Sequence, residues 1–169
     1  RAVKSYLYQL GREFSRGKDY FHLRGQDNLV RYLPVGTVAV RVHEDDSLFE
    51  VLARIAAVKV SGCDLMVSIP PELHNKATAF LAGKEGGKLV GHAPVNRQTD
   101  NDLIKLMPHI QRIRYAAFER VPLEVFEAAA KTGFYLSRSK VMMEGRIELL
   151  QYFQEQSVCD NYHRYGNLG

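Results

Sequence analysis

Apolar positions along this chain change their spacing several times, and each change marks an element. Val3, Tyr6, Leu7, Leu10 and Phe14 recur at helical spacing in an otherwise charged segment, which predicts an amphipathic helix over residues 1–14 seeking a partner surface. Gly17 ends it, and a polar loop through Asp19, Gly25, Gln26, Asp27 and Asn28 leads to an extended stretch, Leu29 to Leu33, that stops at Pro34. From Thr37 to Val42 the run TVAVRV is β-branched and mostly apolar, as a strand covered on both faces should be. Ser47 and Glu50 form a capping-box pattern ahead of Leu48, Val51, Leu52, Ile55 and Val58 on one helical face, and Gly62 closes that helix. Asp64 to Ile69 predicts a second strand. Pro70 and Pro71 then open a helix carrying Leu73, Ala77, Phe80 and Leu81, with Gly83 at its end.

Gly86, Gly87, Gly91 and Pro94 predict a loop over 84–96, with a short strand at Lys88 to Val90. Thr99 and Asp102 cap a helix bearing Leu103, Leu106 and Met107, and Arg112 to Ala116 predicts a strand. Pro122 starts a helix with Val125, Phe126 and Ala129 on one side, Gly133 stops it, and Phe134 to Leu136 makes a short strand. A last helix spans Glu144 to Phe153, with Ile147, Leu150 and Phe153, before Ser157 to Cys159 is again extended. Strand and helix thus alternate repeatedly, and each helix is long enough to serve as a crossover between parallel strands. The predicted class is α/β: a Rossmann-like parallel sheet with helices on both faces, plus an N-terminal helix and arm. Three segments are expected: the helix and arm at 1–35, the Rossmann-like domain at 36–160, and a terminal tail at 161–169.

Hydrophobic residues at 46% and charged residues at 25% exclude the disordered and collagen-like classes. The 23 Lys and Arg are interleaved with 19 Asp and Glu, so the net charge of +4 comes without the basic stripe of a nucleic-acid binder. No apolar run is long enough for a membrane span, and no export-signal pattern stands at the N-terminus. Cys63 and Cys159 lack metal spacing and are too few for a disulfide framework, which predicts reduced thiols and a cytoplasmic location. Cys159, on an apolar strand, is expected to be a buried, inert thiol. A chain beginning at Arg1 is expected to be a piece of something longer.

A Rossmann-like sheet raises the question of a dinucleotide, whose pyrophosphate needs a glycine-rich turn after the first strand so that backbone N–H groups can approach it. The turn after TVAVRV is instead His43-Glu44-Asp45-Asp46-Ser47, with no glycine and with carboxylates where phosphate charge would sit. Two anions about 4 Å apart repel by roughly 1 kcal/mol even in bulk water and by several in a protein-like medium. The carboxylates suit a different task, complementing the dipole of the helix they precede. Gly83-Lys84-Glu85-Gly86-Gly87-Lys88 lacks phosphate-loop spacing, since Leu89 follows where a hydroxyl for magnesium is required. Six histidines, at 22, 43, 74, 92, 109 and 163, are scattered without metal-ligand pairing, and no nucleophile elbow occurs. Arg41 and Arg138 are not placed by sequence into a site. No catalytic, cofactor-binding or metal-binding residue is therefore predicted.

One segment stands apart. Asn161, Tyr162, His163, Arg164, Tyr165, Gly166 and Asn167 concentrate hydrogen-bonding and aromatic side chains where chain ends are usually undemanding. Two tyrosines give rigid contact area, Arg164 a forked donor, and Gly166 close approach, as in a recognition peptide. A tail that packs on its own domain is the equal alternative.

Glu119-Arg120-Val121-Pro122, Val125-Phe126, Ala128-Ala129-Ala130, Thr132-Gly133, Gly145-Arg146-Ile147-Glu148-Leu149-Leu150, Glu155-Gln156-Ser157-Val158 and Tyr162-His163-Arg164-Tyr165-Gly166-Asn167-Leu168 together resemble the C-terminal end of bacterial proline-utilization enzymes. These are bifunctional proline dehydrogenases and pyrroline-5-carboxylate (glutamate-semialdehyde) dehydrogenases. Gly25-Gln26-Asp27-Asn28 with Arg31-Tyr32-Leu33-Pro34 resembles the junction after their aldehyde dehydrogenase module. The resemblance implies a noncatalytic Rossmann-like C-terminal domain that binds no cofactor itself. It also implies a parent enzyme using NAD, and FAD where a proline dehydrogenase module is present. The implied partners are the aldehyde dehydrogenase module of the parent chain and a homo-oligomer partner, with the terminal peptide enclosing the path between active sites. The alternative from the residues alone is a small-ligand or nucleotide-binding module, with a stand-alone enzyme third.

Overall fold

The structure is a computed structural model that describes residues 1–162. Its centre is a five-stranded parallel sheet built from β3 (Thr37–Arg41), β4 (Asp64–Ile69), β5 (Val95–Arg97), β6 (Arg112–Arg114) and β7 (Leu136–Ser137), in the order β5-β4-β3-β6-β7. Alternation along β3 explains its central place. Val38, Val40 and Val42 point to one core and Ala39 to the other, all of them buried. The first core also takes α1 (Ala2–Gln9), α2 (Leu48–Ser61), α3 (Lys76–Ala82) and α4 (Lys84–Val90); the second takes α5 (Asp100–Leu106) and α6 (Leu123–Thr132). The expected α/β class, with helices on both faces and an N-terminal helix, is what the chain adopts. Among the described residues no helix is long and apolar enough to cross a membrane.

A second sheet emerges from the N-terminal edge of the first. β1 (Lys18–Asp19), β2 (Gln26–Pro34) and β8 (Phe153–Asn161) are antiparallel in the order β1-β2-β8, with β2 and β8 in register from Gln26↔Asn161 to Pro34↔Phe153. Phe14 ties this sheet to the body: its ring lies 4.8 Å from Tyr32 and stacks at 4.9 Å on Phe153. α1 runs into a π-helical turn, Leu10–Phe14, that delivers Phe14 to that contact. The predicted stripe of the first helix is split. Tyr6 and Phe14 are buried and Leu10 half-buried, whereas Val3 and Leu7 stay exposed. Fully burying a side chain of this size is worth about 1.5–3 kcal/mol, so Tyr6 and Phe14 anchor the helix.

Four local expectations are corrected. Residues 84–90 form helix α4 instead of a loop with a strand at Lys88 to Val90. Gly86 was read as a breaker, but a Cβ there would run into the backbone of Phe80 and Leu81, so the glycine allows α4 to pack on α3. The helix predicted from Pro70 begins only at Lys76, because Asn75 supplies the cap, its Oδ1 accepting from the Thr78 N–H at 3.0 Å. The helix predicted over Glu144 to Phe153 is α7 (Gly145–Glu148) followed by a 3-10 turn, Leu149–Tyr152; Phe153 already belongs to β8. Gly145 lies against α1, where a Cβ would stand 2.6 Å from the Ser5 carbonyl. Cys159 is exposed, not buried, because β8 is an edge strand outside the parallel sheet.

Candidate functional site

In a doubly wound sheet the ligand crevice lies beyond the strand C-termini where the chain reverses its direction of building. Here that point falls between β3, which begins the β3-β4-β5 half, and β6, which begins the β6-β7 half. A cleft of about 780 Å³ opens there, lined by Asp45, Ser47, Phe49, Glu50, Ala117, Glu119, Arg120, Lys140 and Val141.

The turn after β3 shapes its floor. Ser47 caps α2: its Oγ accepts from the Glu50 N–H at 3.2 Å, and its own N–H donates to Glu50 Oε2 at 2.8 Å. Two of the helix's free N–H groups are thereby engaged inside the chain. Asp46 turns inward and is buried, accepting from the His43 N–H at 3.0 Å, from Arg54 Nη2, and from Arg120 Nη1 at 2.7 Å. Arg120, in the 3-10 turn Phe118–Arg120 after β6, also donates to Glu50 Oε1 at 3.0 Å. Arg54, one helical turn further into α2, is fully buried. Its Nη1 donates to the carbonyls of Arg41 at 2.8 Å and Arg114 at 3.0 Å, the last residues of β3 and β6. One guanidinium thus joins the ends of the two strands that flank the crevice, and two carboxylates hold the positive charge that an anionic ligand would need.

Burial lowers the pKa of Arg54, while the facing Asp46 opposes that shift. Burial likewise disfavours charge on Arg120, but hydrogen bonds to Glu50 and Asp46 outweigh it and raise its pKa. For Glu50, burial would raise the pKa, yet the bonds from Ser47 and Arg120 prevail and hold the carboxyl below its ordinary value of about 4.5. A carboxylate with a depressed folded pKa stabilises the chain above its unfolded value, and that contribution is lost as pH falls through the folded value. Acid titration followed by circular dichroism should therefore show a shallower loss of stability for Glu50→Gln than for the wild type. Equal slopes would remove Glu50 from the acid response.

Two further buried arginines flank the network. Arg41 donates to Ser68 Oγ at 2.9 Å, the Gln98 carbonyl at 3.0 Å and Asp100 Oδ1 at 2.7 Å. Arg114 donates through Nη2 to both oxygens of Glu148, at 2.9 and 3.2 Å, and through Nη1 to the Ser139 carbonyl at 2.7 Å. Among the described residues, one group has three ligand-type atoms within 4.8 Å of one another: His43, Glu44 and Asp45. The Asp45 N–H donates to His43 Nδ1 at 3.2 Å and so occupies that nitrogen's lone pair. Cys159 Sγ accepts from Gln26 Nε2 at 2.8 Å.

Of the expected tail, Asn161 ends β8, and Tyr162 is exposed with its N–H on the Gly25 carbonyl at 3.1 Å. His163, Arg164, Tyr165, Gly166 and Asn167 lie outside the described residues. The sequence reading did not single out Arg54 or Arg120. Arg54 falls between Val51 and Val58 on the apolar face of α2, and a charge at that spacing is the signal that would have located it.

No family model and no curated protein matches the chain. Solved structures do. Proline utilization A (PutA) from Corynebacterium freiburgense is 24% identical with a TM-score of 0.59, over 96% of this chain and 13% of that one. An NAD-dependent aldehyde dehydrogenase from Sinorhizobium meliloti is 19% identical with a TM-score of 0.57, over 79% of this chain and 28% of that one. The chain shares its fold with part of each of these two proteins. PutA from Bdellovibrio bacteriovorus adds a third instance, 18% identical with a TM-score of 0.54 over 82% of this chain and 15% of that one. The chain thus spans between 13% and 28% of the length of these three proteins.

Proposed function

We propose that this chain is a noncatalytic Rossmann-like domain of a larger proline-catabolic oxidoreductase, which oxidises glutamate semialdehyde to glutamate with NAD. Its task there is to dock on the dehydrogenase module and help enclose the substrate path. The observation that carries the proposal is the charge pairing on the floor of the crevice: Asp46 and Glu50 already neutralise Arg54 and Arg120 where a coenzyme's pyrophosphate would bind. A dinucleotide would have to break two charge-assisted pairs and settle beside the freed carboxylates, at a cost of several kcal/mol. The antiparallel sheet supports the docking role. Among the described residues β8 pairs on one side only, with β2, and Tyr162 stands exposed just after it. Such an edge offers main-chain hydrogen bonds to a neighbouring strand. Contacts of this kind exclude water and confine a reactive aldehyde.

Within this proposal residues 1–35 are an arm, 36–160 the Rossmann-like domain and 161–169 the docking tail. NAD, and FAD where a proline dehydrogenase module is present, belong to the rest of a cytoplasmic parent enzyme. Deleting residues 161–169 from the full-length enzyme should lower coupled proline-to-glutamate flux, or weaken the aldehyde step, with the melting temperature unchanged. Unchanged kinetics would overturn the docking role. A small-ligand module remains the second reading, favoured by the open cleft beside Lys140.

A further inference from the structure

We propose that the aromatic patch around Arg138 is a docking surface for an extended protein segment that presents an aspartate or glutamate side chain to the Arg138 guanidinium. This surface is separate from the crevice network and from the tail, and the proposal does not rest on the parent enzyme's identity. Arg138 follows β7, the edge strand of the parallel sheet. Its guanidinium lies 4.6 Å from the ring of Phe118 and 4.7 Å from that of Phe126. The two rings fix the fork's orientation and bury its Nη1, while Nε and Nη2 of this half-buried side chain donate to none of the described residues. Arg138 enters none of the ion pairs found among them, unlike Arg41, Arg54, Arg114 and Arg120. A positioned guanidinium with a free donor edge matches a carboxylate, which accepts from it in a forked geometry.

The surroundings indicate a protein segment in preference to a free anion. Phe118, Phe126 and Tyr135 are exposed around the arginine, the aromatic-and-arginine composition that dominates binding energy at interfaces. The Ser137 carbonyl accepts from the Tyr115 N–H at 2.8 Å, toward the interior, so the main chain of Leu136 faces the open edge. A cleft of about 200 Å³ runs beside that edge, with Ala129 and Ala130 of α6 leaving room between Phe126 and Tyr135. It admits one apolar side chain. In an extended segment residues two apart share a face, roughly 6.6 Å from each other. The fitting motif is therefore an apolar residue, any residue, then an acidic one.

The test is a titration of the isotope-labelled 169-residue chain with the capped peptide Ser-Leu-Thr-Glu-Ser and its glutamine counterpart, followed by NMR. The glutamate peptide should shift the Phe126, Leu136, Ser137 and Arg138 amides with saturation at millimolar concentration. The glutamine peptide should bind at least about fivefold more weakly. Arg138→Gln should remove the preference between the peptides. Should that variant disturb the rest of the spectrum, Arg138→Lys serves instead, and the preference should shrink because a point charge replaces the fork. The proposal is overturned by equal binding of the two peptides, by no binding, or by shifts confined to other surfaces. It is overturned equally by an effect of acetate alone that matches the peptide, or by patch shifts that follow protein concentration and mark a second copy as the occupant.

Discussion

Arg54→Met is expected to destabilise the chain by about 3–5 kcal/mol, enough to leave it largely unfolded at moderate urea concentrations, since domains of this size have only about 5–15 kcal/mol in reserve. The effect has two physical parts. Asp46 loses a fully buried counter-charge and keeps only the partly exposed Arg120. The carbonyls of Arg41 and Arg114 lose the guanidinium that joins them, and a buried acceptor left unmatched costs about 1–3 kcal/mol. Urea unfolding should also separate this loss from simple lost packing. Arg54→Met combined with Asp46→Asn removes the orphaned charge and should recover part of the stability, whereas a deficit equal to the sum of the two single variants would show that the charges are not coupled.

Glu148→Ala should have an effect of similar size for the opposite charge. Glu148 is 1% exposed and accepts four contacts from three donors: two from Arg114 Nη2, one from the Tyr152 hydroxyl at 2.8 Å and one from the Met142 N–H at 2.8 Å. Removing it leaves the Arg114 cation buried without its counter-charge, which costs about 3–5 kcal/mol. Because Tyr6 donates to the Met142 carbonyl at 2.6 Å, the loss should spread to the docking of α1. Hydrogen exchange should therefore speed up in α1 as well as around Tyr152. Protection in α1 equal to that of the wild type would confine Glu148 to a local role. Pairing Glu148→Leu with Arg114→Met should be far milder than either alone, since a well-packed apolar pair can replace a buried ion pair at little cost.

The alternating elements were legible because each carries its own local signature. The capping boxes at Ser47 and Thr99 form as their spacing predicts, and TVAVRV sits at the centre of the sheet as a strand covered on both sides should. Leu29 to Leu33 and Ser157 to Cys159 are extended as the sequence predicts, within β2 and β8, but their antiparallel pairing was not legible. Arg31 and Gln156, which bond at 2.5 Å across β2 and β8, lie 125 residues apart, and neither strand shows a continuous apolar run that would announce a partner. Gly86 reads as a breaker in sequence for a physical reason. Glycine signals a breaker in isolation, but where two helices nearly touch it is the residue that fits, and only tertiary contact distinguishes the cases.

The crevice was half legible. The capping box at its acidic, glycine-free turn forms as the sequence predicts, yet the sequence assigned the carboxylates of that turn to a helix dipole alone. The arginines that neutralise them come from α2 and from the turn after β6, and Arg54 looks in sequence like one more charge on a helix. Charges inside covered elements carry the missing signal: Arg41 in β3, Arg54 on the α2 face and Arg114 in β6 must each find an internal partner, and each does.

Isothermal titration calorimetry of the 169-residue chain with NAD and with NADH bears most directly on whether the crevice is closed to a coenzyme. No heat of binding is expected for either up to millimolar concentration, because Asp46 and Glu50 already pair Arg54 and Arg120 on the floor of the crevice. Saturable binding of either nucleotide at micromolar concentration, weakened by Arg120→Ala, would contradict it.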